Sequence, residues 1–270
     1  MLTHRLSGPG RRTRMFLKSA DADIMVQSFG SGARTLVAHG GWVGSGELWI
    51  PPFEQLSRGD WRLVTYDHRG TGATVSRAPR ITFDLLVDDL FRVLDHCHID
   101  RCILAGESAG AAVVLEAALR KPDRFEALVL VSGRYVGTRM PQRDQLLAGC
   151  RANFPATMKA FVAACVPEPD CEAERAWGEQ IVLRSSAQVA IELMECMEGI
   201  DLEGRVAGLR HKCLLLHGTK DNITPLASSE TLRTLMPNAR LEIADGAGHV
   251  PTVTRPQWIA DRIEAFASAL

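Results

Sequence analysis

The hydrophobic positions of this chain follow two alternating patterns. Short continuous apolar runs occur at T-L-V-A (35–38), R-L-V-T-Y (62–66), C-I-L-A (102–105), A-L-V-L-V (127–131), C-L-L-L (213–216) and R-L-E-I-A (240–244). They are bounded like strands and rich in the branched side chains that suit a pleated surface. Between most of them lie amphipathic stretches, notably 82–96, 109–120 and 226–236, whose apolar residues recur at helical spacing. A continuously apolar strand has no polar face to give to solvent, so helices must cover it on both sides. The pattern predicts a mostly parallel, doubly wound α/β sheet. Segments 14–18 and 23–29 are charged and alternating instead, the mark of an antiparallel hairpin at a sheet edge.

The alternation stops over 134–205, where several helical patterns follow one another without a strand. A sheet that continues on both sides of such a block carries an inserted helical subdomain. The chain is therefore expected to divide into a core part at 1–133, an insertion at 134–205 and a second core part at 206–270. The apolar positions of the insertion, Phe154, Met158, Phe161, Trp177, Met194 and Met197, read first as internal packing. If the block sits over the carboxyl ends of the strands, part of that face also lines a pocket, because open α/β sheets bind ligands there.

Bulk properties narrow the function classes. With 270 residues, 46% of them hydrophobic, the chain can bury a full core. A formal charge of −1 offers no strong basic field, so no nucleic acid is expected as a partner. The basic cluster R-R-T-R at 11–14 lies in a segment containing Gly and Pro and reads as a solvated leader. The N-terminus has no apolar stretch of signal-peptide length and nowhere do 18 apolar residues run together, so the expectation is a cytoplasmic protein with no membrane partner. Seven scattered cysteines without a C-x-x-C pair point to reduced thiols rather than a disulfide framework or a structural zinc. No metal or cofactor is expected; the partner is a small-molecule substrate, and a homo-oligomer is left open.

The chemistry centres on G-E-S-A-G, residues 106–110, which follows an apolar strand and opens an alanine-rich helix. A strand turning sharply into a helix crowds the neighbours of the central serine, and Gly106 and Gly110 remove the side chains that would collide. Taken alone, Ser108 reads equally as a nucleophile or as a helix N-cap. A nucleophilic serine needs a base within hydrogen-bond reach and a group to orient that base. H-G-T-K-D-N-I-T-P (217–225) places Asp221 just beyond one strand, and G-A-G-H-V-P (246–251) places His249 just beyond the last. The other histidines fit less well: His39 and His217 end strands, His96 and His98 end a helix, and His4, His68 and His211 lie outside the pattern. In L-V-A-H-G-G-W (36–42), the N–H of Gly41 can point into the site as one oxyanion donor, with Ala109 N–H as the second. Trp42 reads as a pocket wall or as core.

Together with Y-D-H-R-G-T-G-A-T at 66–74, these segments make the chain resemble an α/β-hydrolase-fold enzyme, from the strand near 23 to the final helix. The resemblance implies a triad of Ser108, Asp221 and His249, an oxyanion hole of Gly41 and Ala109, and a cap at 134–205. It leaves the 66–74 loop a structural role. Trp42, Ile223 and Val250 are the expected substrate contacts. Serine as nucleophile sets aside the haloalkane dehalogenase and epoxide hydrolase branches, and H-G-G-W lacks the third glycine of hormone-sensitive-lipase-like enzymes. The layout is similar to the compact lactonases, esterases and meta-cleavage-product hydrolases.

The reading is a cofactor-independent serine hydrolase of a small carboxylic ester or lactone, acting through an acyl-enzyme. The alternatives are carbon–carbon bond cleavage in a diketone-like acid, perhydrolysis, and, from another class, a ligand receptor on this fold. A carboxylate-bearing substrate would want a cationic anchor, for which Arg134, Arg139, Arg143 and Arg184 are candidates. Glu107, beside the nucleophile, is expected to act as scaffold, so that Glu107→Gln impairs stability more than chemistry.

Overall fold

The computed structural model describes residues 12–137 and 142–270, and among them nine strands form one sheet. They are β1 (Arg12–Lys18), β2 (Ala22–Phe29), β3 (Arg34–His39), β4 (Trp61–Tyr66), β5 (Val75–Ser76), β6 (Cys102–Glu107), β7 (Phe125–Val131), β8 (Lys212–Gly218) and β9 (Ala239–Ala244). The main path is β1-β2-β4-β3-β6-β7-β8-β9, with β5 paired to β2. From β4 through β9 along that path every pairing is parallel, whereas β1, β2 and β5 pair antiparallel. The six apolar runs are thus β3, β4, β6, β7, β8 and β9, and the charged hairpin is β1–β2. The two-residue β5 has no counterpart in the hydrophobic pattern, since two residues carry no period.

Side-chain alternation along the strands splits the interior into two cores. Leu104, Leu128, Leu130 and Leu215 face helices Phe83–His96 and Gly110–Arg120. Ile103, Ala105, Val129, Leu214 and Leu216 face helices Ile50–Leu56 and Pro256–Ala267. Every residue of β6 is buried, the consequence of being covered on both faces. At the sheet edge β9 is only partly covered, which explains the charges within R-L-E-I-A.

The loop after β4 is a buried polar knot. Arg69 is fully buried and forks onto Asp89, with Nε 2.6 Å and Nη2 3.0 Å from the two carboxylate oxygens, while Nη2 also lies 2.7 Å from Asp21. It ties the loop to helix Phe83–His96 and to the β1–β2 turn.

Between β7 and β8 the chain forms helices Arg143–Cys165, Glu172–Val182, Ala187–Glu195 and Glu203–Val206. The first breaks at Asn153, whose backbone leaves helical geometry two residues before Pro155 and whose side chain accepts from Ala156 N at 3.1 Å. The block begins and ends side by side: Val136 bridges Asp201, Gly137 N donates to Ile200 O at 2.7 Å, and Leu202 N donates to Tyr135 O at 3.2 Å. Among the described residues no helix is long and apolar enough to cross a membrane.

Candidate active site

Because β3, β6, β8 and β9 run parallel, their carboxyl ends open on one edge of the sheet, and the segments leaving them converge there. Ser108 stands at the end of β6 with φ of +52°, a left-handed conformation that a serine adopts only under constraint. The constraint is visible: Ser108 N donates to Val131 O at 2.9 Å, and Ser108 O accepts from Ala111 N at 3.0 Å and Arg134 N at 2.9 Å. The flanking glycines are required by close approach. A Cβ on Gly106 would lie 2.7 Å from Gly110 O and from Val114 Cγ2, and one on Gly110 would lie 2.4 Å from Gly40 O. The helix that follows begins with no side-chain cap, so Ser108 is not serving as an N-cap; its hydroxyl is directed elsewhere.

That hydroxyl lies 2.8 Å from His249 Nε2, and His249 Nδ1 lies 2.8 Å from Asp221 Oδ2. Both partners are buried, His249 at 2% and Asp221 at 1% side-chain exposure. Asp221 Oδ1 accepts from Ile223 N at 2.8 Å and Thr224 N at 2.9 Å, and His217 Nε2 lies 3.1 Å from Oδ2. Burial by itself would raise the Asp221 carboxyl, but the charge of His249 and the hydrogen bonds from both histidines outweigh it and hold the group well below the carboxylate range. The site therefore holds an ionised acid, a histidine whose Nδ1 faces that acid, and a serine hydroxyl on the histidine's other nitrogen.

Gly41 and Ala109 both border Ser108's surroundings, and among the described residues neither N–H donates to a protein acceptor. The Gly40–Gly41 segment is fixed from behind: His39 Nδ1 lies 2.7 Å from Gly40 O and His68 Nε2 lies 2.8 Å from Gly41 O. The two imidazoles stack at 4.8 Å, and burial, followed by the proximity of His68, pushes His39 down to about 3, so it is neutral.

Ser108 and His249 open into a cleft of about 60 Å³. Its walls are apolar, with Trp42, Val43 and Leu48 on one side, Val250 and Val253 beside the histidine, and Phe161, Val162, Trp177 and Ile181 from the helical block. Trp42 is pinned by Nε1 donation to Ala190 O at 2.8 Å and meets Phe161 edge-on at 5.2 Å. Among the described residues, the acidic side chains on this cleft are Glu107 and Glu174.

The sequence of residues 36–262 matches the profile of the alpha/beta hydrolase family. The chain belongs to that family. Among curated relatives of this hydrolase, RutD of Caulobacter vibrioides (strain NA1000 / CB15N), a proposed carbamate hydrolase, is 26% identical over 247 residues, which cover 87% of this chain and 91% of RutD. An esterase from Exiguobacterium antarcticum superposes with a TM-score of 0.89 at 19% identity, covering 95% of this chain and 100% of its own. The enol-lactonase from Burkholderia xenovorans LB400 gives 0.83 at 20% identity, over 93% and 99%. At such identities the superpositions show the α/β hydrolase fold.

Of the substrate contacts expected for this hydrolase, Trp42 and Val250 line the cleft and Ile223 does not. Ile223 packs instead against Cys165, Val166 and Cys171, and its backbone N–H holds Asp221. Two residues of the helical block read as packing, Phe161 and Trp177, do line the cleft. The arginine candidates lie elsewhere: Arg134 Nη1 is 3.7 Å from Met194 Sδ, Arg143 pairs with Asp144 and Glu198, and Arg184 pairs with Glu47. Arg139 falls outside the described residues. His217, which sequence position marks only as a strand-terminal histidine, joins the site through Asp221, four residues further on.

Proposed function

We propose that this hydrolase cleaves a small, uncharged carboxylic ester or lactone through an acyl-enzyme on Ser108. The unbroken hydrogen-bond chain from Ser108 through His249 to Asp221, opening on an apolar cleft, carries this reading. Ser108 Oγ adds to the substrate carbonyl while His249 Nε2 takes its proton; Asp221 keeps Nδ1–H in place and balances the imidazolium that forms. The N–H groups of Gly41 and Ala109 bind the oxyanion, each worth about 3 kcal/mol in the transition state. His249 returns the proton to the departing alkoxide. A water, deprotonated by His249, then adds to the acyl carbonyl, and collapse releases the acid and Ser108.

The helical block acts as cap and acyl-pocket wall, and the narrow cleft supports a short acyl group. Cleavage of a carbon–carbon bond in a dienoate-type acid is disfavoured, because the described residues lining the cleft include the acidic side chains Glu107 and Glu174 and no arginine or lysine for a carboxylate. A carbamate is the second reading: RutD, which carries that name, aligns with 87% of the chain, and a carbamate carbonyl passes through the same tetrahedral intermediate.

The test is fluorophosphonate labelling of wild type and Ser108→Ala, followed by turnover of p-nitrophenyl acetate, butyrate and octanoate, γ-butyrolactone, an alkyl carbamate and a vinylogous dienoate. Wild type should label and Ser108→Ala should not, with acetate and butyrate turned over faster than octanoate. An unlabelled wild type overturns the nucleophile, and rapid dienoate decay without ester turnover replaces the substrate class.

A further inference from the structure

We propose that Glu168 is a positioning residue for His249, fastening the histidine's segment to the helical block so that the imidazole stays aligned between Ser108 and Asp221. The inference rests on the reading of His249 as the base. Glu168 follows helix Arg143–Cys165, belongs to none of the sequence motifs, and is 2% exposed. Its Oε1 accepts two hydrogen bonds, from Gly248 N at 2.8 Å and from Thr254 Oγ1 at 2.8 Å. These donors lie on either side of His249 in the chain.

The same short stretch of the block grips the segment twice more. His249 N donates to Cys165 O at 2.8 Å, and Gly248 packs so tightly that a Cβ on it would lie 2.4 Å from Pro167 Cδ and 2.5 Å from Cys165 O. The His249 ring makes its two hydrogen bonds through opposite nitrogens, so its backbone must be placed correctly for both to stay at 2.8 Å. A loop of sequence G-A-G has little stiffness of its own, and Glu168 supplies an external reference. Hydrogen bonds accepted by a carboxylate are among the stronger ones, and deleting the acceptor would strand a buried N–H.

Glu168 touches the base's segment and not the cleft, so its effect should appear in the rate of the chemical step. Misplacement of a reacting group by about 1 Å costs on the order of a hundredfold. Glu168→Ala should lower kcat at least tenfold, leave KM within threefold, and slow fluorophosphonate labelling in parallel. Glu168→Gln, which keeps an oxygen for both donors, should restore kcat to within threefold of wild type. A loss smaller than tenfold in the Ala variant, or a Gln variant as slow as Ala, overturns the proposal. If Glu168→Ala does not fold, Thr254→Val decides: a twofold or greater fall in kcat with matching labelling supports it, and a smaller one overturns it. His249→Ala, measured alongside, separates the two readings. If that variant still labels at the wild-type rate, the base assignment has failed; if it is inert while Glu168→Ala is fast, only the role of Glu168 has.

Discussion

Thr252 places its hydroxyl oxygen 3.0 Å from one carboxyl oxygen of Glu107 and 3.1 Å from the other, joining the residue before Ser108 to the helix after His249. Burial pushes Glu107 up to about 8; the Thr252 contact works against that rise, and the charge of Asp221 adds to it. Near neutral pH the group is therefore mostly a carboxylic acid. This revises the expectation drawn from sequence, because glutamine closely mimics the protonated form.

The pH dependence follows from proton linkage. Between the ordinary value of 4.5 and about 8, the folded state holds a proton that the unfolded state has lost. The stability this group contributes is complete below pH 4.5 and is lost as pH rises through about 8. Glu107→Gln has no such proton, so its melting temperature should gain on wild type steadily from pH 5 to pH 8 and then level off. Parallel melting curves across that range would rule the account out.

Asp221 serves two histidines, and the second one is testable. His217→Phe removes an Nε2 that lies between Asp221 Oδ2 at 3.1 Å and Thr224 O at 3.0 Å, together with the Nδ1 contact to Ser229 Oγ at 2.8 Å, and leaves the His249 side chain in place. One ordinary hydrogen bond is worth about 1 kcal/mol, so kcat should fall about tenfold or somewhat less with KM nearly constant. The sign for stability is opposite to that of Glu107. A depressed carboxylate contributes above its ordinary value of 3.8 and loses that contribution as pH falls through its folded value. With one donor fewer the depression is smaller, so acid unfolding of the variant should begin at higher pH. An unchanged kcat together with an unchanged acid midpoint would leave His217 no role at Asp221.

Gly110 is a steric requirement of the site. An alanine there meets Gly40 O at 2.4 Å, a backbone atom with no rotamer to change. The expected result for Gly110→Ala is a loss of about 1–3 kcal/mol in stability from overpacking. The accompanying shift of the Gly40–Gly41 peptide should lower kcat more than it alters KM. Urea denaturation and steady-state kinetics on a short-chain ester measure both, and a variant with wild-type kcat would refute the link.

Arg69 carries the structural role of the 66–74 loop. Replacing it with leucine removes the two bonds that Arg69 makes to the buried carboxylate of Asp89 and leaves it only Arg92, whose Nη1 lies 3.0 Å from Oδ1; breaking such a buried pair costs about 3–5 kcal/mol when no partner remains, and somewhat less here. The double variant Arg69→Leu with Asp89→Leu should recover much of that loss. A single variant within 1 kcal/mol of wild type in urea, by the same reasoning about buried charge, would contradict the account.

The inner parallel strands are legible because burial on both faces forces continuous apolar runs, the β1–β2 hairpin because its charges alternate, and Ser108, Asp221 and His249 stand out because each follows a strand. What the sequence did not reveal depends on contacts across long separations. Glu168 reaches Gly248 across eighty positions, and nothing in the spacing of either residue announces the other. Trp177 lies on a helix with a polar outer face, so periodicity assigns its ring to packing, and only the placement of the helical block turns it toward Ser108. Ile223 shows the opposite case: it follows Asp221 in its motif, yet its backbone N–H serves that carboxylate and its side chain packs against Cys165, Val166 and Cys171 without lining the cleft.

The pairing of Val136 with Asp201 has an evolutionary side. A segment whose two ends lie on adjacent, hydrogen-bonded backbones can be shortened, lengthened or exchanged while the sheet feels the same boundary, and loop-closure entropy rises only slowly with length. Ser108, Asp221 and His249 sit outside that boundary and much of the cleft wall sits inside it. Substrate range and bond-breaking chemistry can therefore be inherited separately, with one exception written into this chain: any replacement block must bring its own acceptor for the backbone beside His249.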